Sequence, residues 1–513
     1  MQFFESLLLL LLVAIVLMQV SRRLAIPYPS MLAVAGTAVA LVPGTPHVGL
    51  DPQMALALFI APALLDAAYD FPLGTARRFW LPLLVFAIGG VVVTSVAVAF
   101  AGWAFAGLPF AAALVLGAIV APPDAAAATA VLSSVSIPRN VDAVLRGESL
   151  FNDAAALLIF SAALSVQSAG AMDGAVVVDL VIAAPGGVLL GVAAAWAIRY
   201  LYRFVVGTLG GNILQFVQTF LLWIVAERLH LSPVLAIVAF AMSLARINDP
   251  LASSARMRVQ SYAVWSAVVF VLNVMAFLLM GMQIRDILKD MDPGHMGQAA
   301  LLAGGVVVIV IVARFVVCVG FNRYEAYRAV RHHGGEPPSL SQAILAGWCG
   351  MRGLLTLATA FALPDDFPNR DMVVLTAFSV VLATVVVQGL SLRYLIRWLG
   401  LDHDGGGQGN LNDMRREIAI AGLAKLEDAT GEEAELLRTK MHMEKHSLAT
   451  DEMSALKRYR KLALNAIAAQ RQALERLRIE QQLNPDIYNL LLEEIDWREL
   501  SVLPEEERRI EEI

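Results

Sequence analysis

Long apolar runs, punctuated by proline, glycine and charge, fill the chain from its start to about residue 400. They fall near 3–20, 29–43, 53–69, 79–104, 110–133, 147–167, 178–203, 212–229, 232–247, 262–283, 298–320, 341–363 and 372–397. Each is roughly as long as a helix must be to cross a bilayer core, about 17–25 residues. The pattern predicts an all-α polytopic membrane protein of about thirteen transmembrane helices. The second, third and ninth runs are short, which suits tilted or partly re-entrant segments. Past residue 404 the apolar runs stop. After Gly405-Gly-Gly-Gln-Gly409, charge-rich stretches at 411–428, 451–482 and 485–499 have the periodicity of amphipathic helices. The expected organisation is a transmembrane domain, 1–403, and a cytoplasmic helical tail, 404–513.

Basic residues orient the spans. Arg22 and Arg23, Arg77 and Arg78, Arg139 and Arg146, Arg199 and Arg203, Arg246, Arg256 and Arg258, Arg323, Arg328 and Arg331, and Arg393 and Arg397 follow odd-numbered runs. Even-numbered runs are followed only by Arg228, Arg285, Lys289 and Arg370. Positive charge marks the cytoplasmic side, so the N-terminus is expected outside and the tail in the cytoplasm. Composition agrees with a membrane protein. Of 513 residues 58% are hydrophobic and 16% charged, against about 25% charged in soluble domains. The net charge of −6 gives no reason to expect a nucleic-acid partner. Cys318 and Cys349 both lie in apolar runs and read as small buried hydrophobes, not as a disulfide or metal framework. No Lys or Arg precedes the first run, so it reads as a retained span and not a cleaved leader.

Against this background a few polar residues stand out. Asp124 ends the string Ala121-Pro122-Pro123-Asp124, inside the fifth run. Two prolines remove two backbone donors and stop the helix in mid-span, freeing carbonyls near Ile119 and Val120. Open backbone at membrane depth is tolerated only where protein or a water-filled cavity receives it. Carbonyl oxygens beside a carboxylate suit a hard monovalent cation. The sixth run carries Glu148-Ser-Leu-Phe-Asn-Asp153. Ser149 and Asp153 share one helical face, Glu148 and Asn152 the adjoining one. Asp153 with Ser149 offers oxygen ligands, and neutral Asn152 can orient its neighbours. An acid within the bilayer is costly and by default marks an ion or proton pathway.

The twelfth run contains Gly347-Trp-Cys-Gly-Met-Arg-Gly353, three glycines that weaken the helix around Arg352. Arg352 keeps its proton, so within the membrane it is expected to need an anion. Interrupted helices in both halves of a chain point to inverted repeats with a site near the midplane. Arg314 is a second intramembrane cation and reads as a structural ion-pair partner. Asp66 and Asp70 suit an interfacial pairing role, and His47, His332 and His333 suit solvated loops. The tail has no phosphate loop, metal cluster or dinucleotide fingerprint. It reads as a stabilising or dimer-supporting element, with a regulatory sensor as the alternative.

Together Leu64-Leu-Asp-Ala-Ala-Tyr69, Ala121-Pro-Pro-Asp124, Glu148-Ser-Leu-Phe-Asn-Asp153, Arg314 and Gly350-Met-Arg-Gly353 resemble the cation/proton antiporter-1 group, the NhaP- and NHE-like sodium/proton exchangers. The resemblance covers about residues 1–400, and the Glu-Ser-Leu-Phe-Asn-Asp string is its most specific part. It implies an inverted-repeat fold of thirteen spans with two broken crossing helices, a homodimer in membrane lipid, and exchange of Na⁺ or Li⁺, sometimes K⁺, for H⁺. By the same resemblance Asp153 is the alternating carrier of cation and proton, Asp124 the neighbouring acid, and Ser149 a ligand. Glu148 and Arg352 form a buried pair that holds Asn152. An Asn152-Asp153 pair implies electroneutral exchange. Where many members have Thr before the unwound Asp, this chain has Pro123, which leaves only its backbone carbonyl as a ligand. Ala125 also replaces a common proline.

The expected function is therefore cation/proton antiport by competition at Asp153, with Asp153, Asp124 and Ser149 as Na⁺ ligands. No organic cofactor or covalent chemistry is expected, and the expected location is a bacterial inner membrane. A potassium/proton exchanger is the alternative within transport. A receptor or scaffold with vestigial acids is the alternative outside it. A membrane enzyme lacks support, because no nucleophile–base pair or metal-ligand spacing is evident.

Overall fold

The computed structural model describes residues 2–503 apart from 25–26, 41–51, 72, 125–138, 170–173, 206–207, 248–254, 286, 288–295, 333–338, 402–405, 448–453 and 482–484. The described residues are helical, with no strand among them. The remainder of the fifth apolar run, 125–133, and with it Ala125, lies outside them, as do His47, Lys289, His333 and Gly405. The chain divides into two compact units, Met1–His403 and Asp404–Ile513.

In the first unit the helices are α1 (Gln2–Leu24), α2 (Tyr28–Ala40), α3 (Pro52–Tyr69), α4 (Trp80–Ala106), α5 (Phe110–Val120), α6 (Arg139–Ala169) and α7 (Gly174–Val205). They continue with α8 (Leu209–Arg228), α9 (Pro233–Ile247), α10 (Ala255–Met282), α11 (Met296–His332), α12 (Leu340–Trp348), α13 (Leu354–Phe361) and α14 (Arg370–Trp398). Each of the thirteen apolar runs falls wholly or partly on described helix. Six described stretches, in α4, α6, α7, α10, α11 and α14, are long and apolar enough to cross a membrane. Further apolar helices, including α2, α5 and α9, are shorter. Large apolar side chains such as Phe105, Trp196, Phe204 and Leu301 point outward, as a lipid-facing surface requires.

Small residues let these helices touch backbone to backbone. A Cβ added at Gly36 of α2 would lie 2.3 Å from Leu278 O of α10, and one at Gly281 of α10 would lie 2.3 Å from Ala33 O of α2. The two glycines face each other across the pair, and any side chain would wedge it open. Buried apolar residues form two main clusters. One joins α2, α4, α5, α10, α11 and α14. The other joins α3, α8 and α9, with Phe240, Ile237 and Trp223 at its centre. Helix α6 belongs to both: Leu145, Phe160 and Ala163 pack in the first, Leu150 and Ala154 in the second.

Two helices contain a π-turn, Val85–Gly90 in α4 and Thr384–Gln388 in α14. The apolar pattern runs through both without a visible interruption, so neither was expected. Such turns widen a helix locally and are frequent at functional sites.

The second unit has helices α15 (Gly406–Lys425), α16 (Glu432–Ser447), α17 (Ser454–Gln481) and α18 (Pro485–Val502). Gly406–Gly409 open α15, where the sequence suggested a linker. Helix α16 was not expected either, because its charges run nearly all round and leave no apolar stripe. Glu432, Glu433 and Glu435 in its first turn suit the positive end of a helix dipole. Arg438 of α16 donates to Leu426 O just beyond α15, with Nη2 at 2.6 Å. Helices α17 and α18 pack through Ile467, Leu474 and Ile495. Arg471 Nη2 is 2.5 Å from both Asp496 Oδ1 and Glu499 Oε2.

Candidate functional site: two interrupted helices

The first unwound segment follows α5. Pro122 and Pro123 have no amide hydrogen to continue the helix, so it stops at Val120 and resumes no helical bonding through Asp124. The second separates α12 from α13 over Cys349–Gly353. The two meet directly. Asp124 N donates to Met351 O at 2.7 Å, and Leu354 N, at the start of α13, donates to Asp124 Oδ2 at 3.3 Å.

Arg352 fastens the same junction. Its side chain is 1% exposed. Nε donates to Val120 O at 3.0 Å and Nη2 to Ala121 O at 3.2 Å, while Nη1 donates to Gly350 O. The Val120 and Ala121 carbonyls, left open where the helix stops, are thus received by a guanidinium from the other segment. The Arg352 amide donates to Thr384 Oγ1 at 3.0 Å, inside the π-turn of α14. Thr384 in turn donates to Val380 O at 2.8 Å.

The expected pair of Glu148 with Arg352 is not the one formed. Glu148 of α6 accepts two bonds from Arg314 of α11, through Nη1 to Oε1 and through Nη2 to Oε2 at 2.7 Å. Both side chains are under 5% exposed. The Phe86 ring of the α4 π-turn lies 5.9 Å from the Arg314 guanidinium carbon. Glu148 still acts on Arg352 through space, but its hydrogen bonds go to Arg314. The reason is local. Arg352 has backbone acceptors at hand on both unwound segments, whereas Arg314 faces α6 from α11 with the carboxylate as its anion. Asn152 is therefore held differently as well: Nδ2 donates to Pro123 O at 2.8 Å. Its Oδ1 is buried without a hydrogen-bond partner.

Asp153 follows Asn152 on α6, half-buried and near enough to Asp124 for the two carboxylates to repel. Ser149, one turn earlier, donates its hydroxyl proton to Arg146 O at 3.0 Å, which leaves its lone pairs open to an electropositive ligand. Asp124, Pro123 and Asn152 come together, with Asp153 beside them. Glu148 and Arg314 form a separate buried pair supporting α6. Asp66 and Asp70 stand at the end of α3, where Asp70 interacts with Arg146 of α6. The two cysteines are free and buried near Arg314. Among the described residues no group of three or more His, Cys, Asp or Glu is placed to hold a metal ion. The oxygen set here is mixed carboxylate, hydroxyl and carbonyl, which suits a hard cation of low charge better than a transition metal. Phe86 and Thr384 went unnoticed in the sequence because an isolated Phe or Thr in an apolar run carries no signal.

The family model for the transmembrane sodium/hydrogen exchanger matches residues 7–398. An uncharacterized Na⁺/H⁺ exchanger of Mycobacterium bovis is 28% identical over 507 residues, covering 93% of this chain and 92% of its own. A sodium, potassium, lithium and rubidium/H⁺ antiporter of Bacillus pumilus is 29% identical over 390 residues, which is 72% of this chain and 58% of that one. In three dimensions the sodium proton antiporter MjNhaP1 of Methanocaldococcus jannaschii superposes with a TM-score of 0.57 at 17% identity, over 78% of this chain and all of that one. The fold is that of NhaP1, and the chain belongs to the transmembrane sodium/hydrogen exchanger family.

Proposed function

We propose that the protein exchanges Na⁺ or Li⁺ for H⁺ across a bacterial inner membrane, with Asp153 carrying one or the other. The observation that carries this reading is the placement of Asp153 on α6, beside Asp124 and the joined unwound segments. A cation bound there meets the carboxylates of Asp153 and Asp124, the Ser149 hydroxyl and the Pro123 carbonyl. Asn152 holds that carbonyl in place. Proton and cation compete for one carboxylate, so neither crosses without the other crossing back. Helix α6 lies between two packed clusters, which suits a carrier whose site opens to each side in turn. The enclosing movement is of one bundle against the other, in a homodimer, with the N-terminus outside and the tail in the cytoplasm. K⁺ is the second candidate. The name of the Bacillus relative supports it, as does Pro123, which supplies only a carbonyl where a hydroxyl is common. Uptake by vesicles with Na⁺, Li⁺ and K⁺ imposed side by side separates them. Absence of cation-driven proton movement with all three would reject the reading.

The exchange is expected to be electroneutral. Asn152 gives no second titrating carboxylate, and Arg352 and Arg314 retain their protons. Glu148 is bonded twice by Arg314, so in this scheme Asp153 alone alternates while Asp124 keeps a fixed charge. In sealed vesicles with the membrane potential clamped at several values, the end-point should follow the ion gradients alone. A systematic shift with voltage would mean a second proton is carried, and Asp124 would be the group to examine.

The tail is expected to be dispensable for this reaction. It forms a compact unit of its own, and the family model ends before it. A chain ending at His403 should insert and exchange measurably, with altered regulation or dimer stability. Complete inactivity of a folded truncation would count against dividing the protein into transport unit and accessory tail.

A further inference from the structure

We propose that Gly353 is a positioning residue for Asp124: its missing side chain is the space the carboxylate occupies, and it thereby sets where Asp124 stands relative to Asp153. The proposal rests on the reading above of these two acids as the ion-handling pair.

A Cβ built at Gly353 would lie 1.5 Å from Asp124 Oδ2, 2.4 Å from Cγ and 2.7 Å from Cβ. Non-bonded carbon contacts settle near 3.5–4.0 Å, so the two side chains exclude each other. The conflict is one of space. Gly353 has φ −144° and ψ −138°, outside the left-handed region that favours glycine. Asp124 has little room to withdraw. Its amide is held by Met351 O at 2.7 Å, and its Oδ2 accepts from Leu354 N at 3.3 Å. Both partners flank Gly353 in the chain. A carboxylate pushed from this niche loses the Leu354 amide and changes its distance from Asp153.

Gly350, three residues earlier, is not equivalent. A Cβ there would meet Arg352 Nη1 at 2.9 Å and Arg314 Cγ at 3.1 Å, both on long side chains. Of the two glycines that flank Met351 and Arg352, Gly353 is the one that confronts a carboxylate.

The test uses the full chain as Gly353→Ala, Asp124→Gly and the double variant. Asp124→Gly removes all three crowding atoms and leaves room for the methyl group. Gly353→Ala should raise the half-saturating Na⁺ concentration roughly tenfold to a hundredfold, the range of one charge-assisted hydrogen bond, with exchange at saturating Na⁺ largely retained. It should lower the melting temperature when Asp124 is present and leave it unchanged when residue 124 is glycine. An unaltered half-saturation in folded Gly353→Ala, or an equal drop in melting temperature in both backgrounds, overturns the proposal. Should Gly353→Ala not accumulate folded, recovery of folded protein in the double variant supports it and failure of recovery overturns it. Asp124→Gly that still drove Na⁺-dependent proton movement would defeat the ion-handling role of Asp124, while the melting comparison would continue to decide the steric claim.

Discussion

Asp153→Asn is expected to reduce cation-driven proton movement to the background of empty vesicles while leaving folded protein in the membrane. The amide is nearly isosteric with the carboxylate, so the packing of Leu150 and Ala154 on the same helix is kept. What goes is the one group that alternately binds a proton and a cation. An amide takes up no proton at neutral pH and offers a cation no negative charge, and the loss of a charged ligand is not made good by the Ser149 hydroxyl or the Pro123 carbonyl. The measurement is dye-reported proton flux in vesicles on addition of Na⁺ and Li⁺, with membrane content checked by gel filtration in detergent. Substantial flux in this variant would remove Asp153 from the carrier role. Asp124→Asn should cripple exchange too, because the cation loses the second charge and the Leu354 amide loses its anionic acceptor.

The second large effect is on stability. Glu148→Gln or Arg314→Met, taken singly, should each cost about 3–5 kcal/mol, because either leaves a buried charge without its partner. Together they should cost much less than the sum. Melting of the purified full chain gives the comparison, with coupling within a bonded pair amounting to about 0.5–3 kcal/mol. Glu148 and Arg352, which share no hydrogen bond, should couple more weakly than Glu148 and Arg314. The opposite order would mean that the carboxylate is shared differently in the folded membrane protein. Activity in the single variants is expected to fall along with stability, since Glu148 sits on the helix that carries Asn152 and Asp153.

The two interruptions were legible in the sequence because proline and clustered glycine act on their own backbone, within a few residues. The string from Glu148 to Asp153 was legible for a similar reason: helical spacing alone puts Ser149 and Asp153 on one face. Which arginine meets Glu148 was not legible. The two candidates lie far along the chain, the bonded one 166 residues away, and the choice is made by the packing of α11 against α6. Resemblance suggested Arg352, but the carbonyls left open where α5 ends supply it with acceptors of its own. The π-turns were hidden for another reason. An extra residue in one turn leaves apolar composition unchanged, and only the backbone of the folded helix shows it. In the tail, α16 has no apolar stripe to announce it, whereas the Ile467–Leu474–Ile495 cluster between α17 and α18 follows directly from amphipathic spacing.

The lacing of the two unwound segments has a further consequence, for leakage. Peptide groups stripped of helical partners usually recruit water, and a file of water molecules through a membrane conducts protons with no cation to answer for them. Here four backbone groups at the crossing are met within the protein: the Asp124 amide by Met351 O, the Val120 and Ala121 carbonyls by Arg352, the Arg352 amide by Thr384. Closing these bonds within the protein removes the sites on which a continuous water file would be anchored. On the reading of the protein as a coupled exchanger, the crossing would then insulate as well as scaffold.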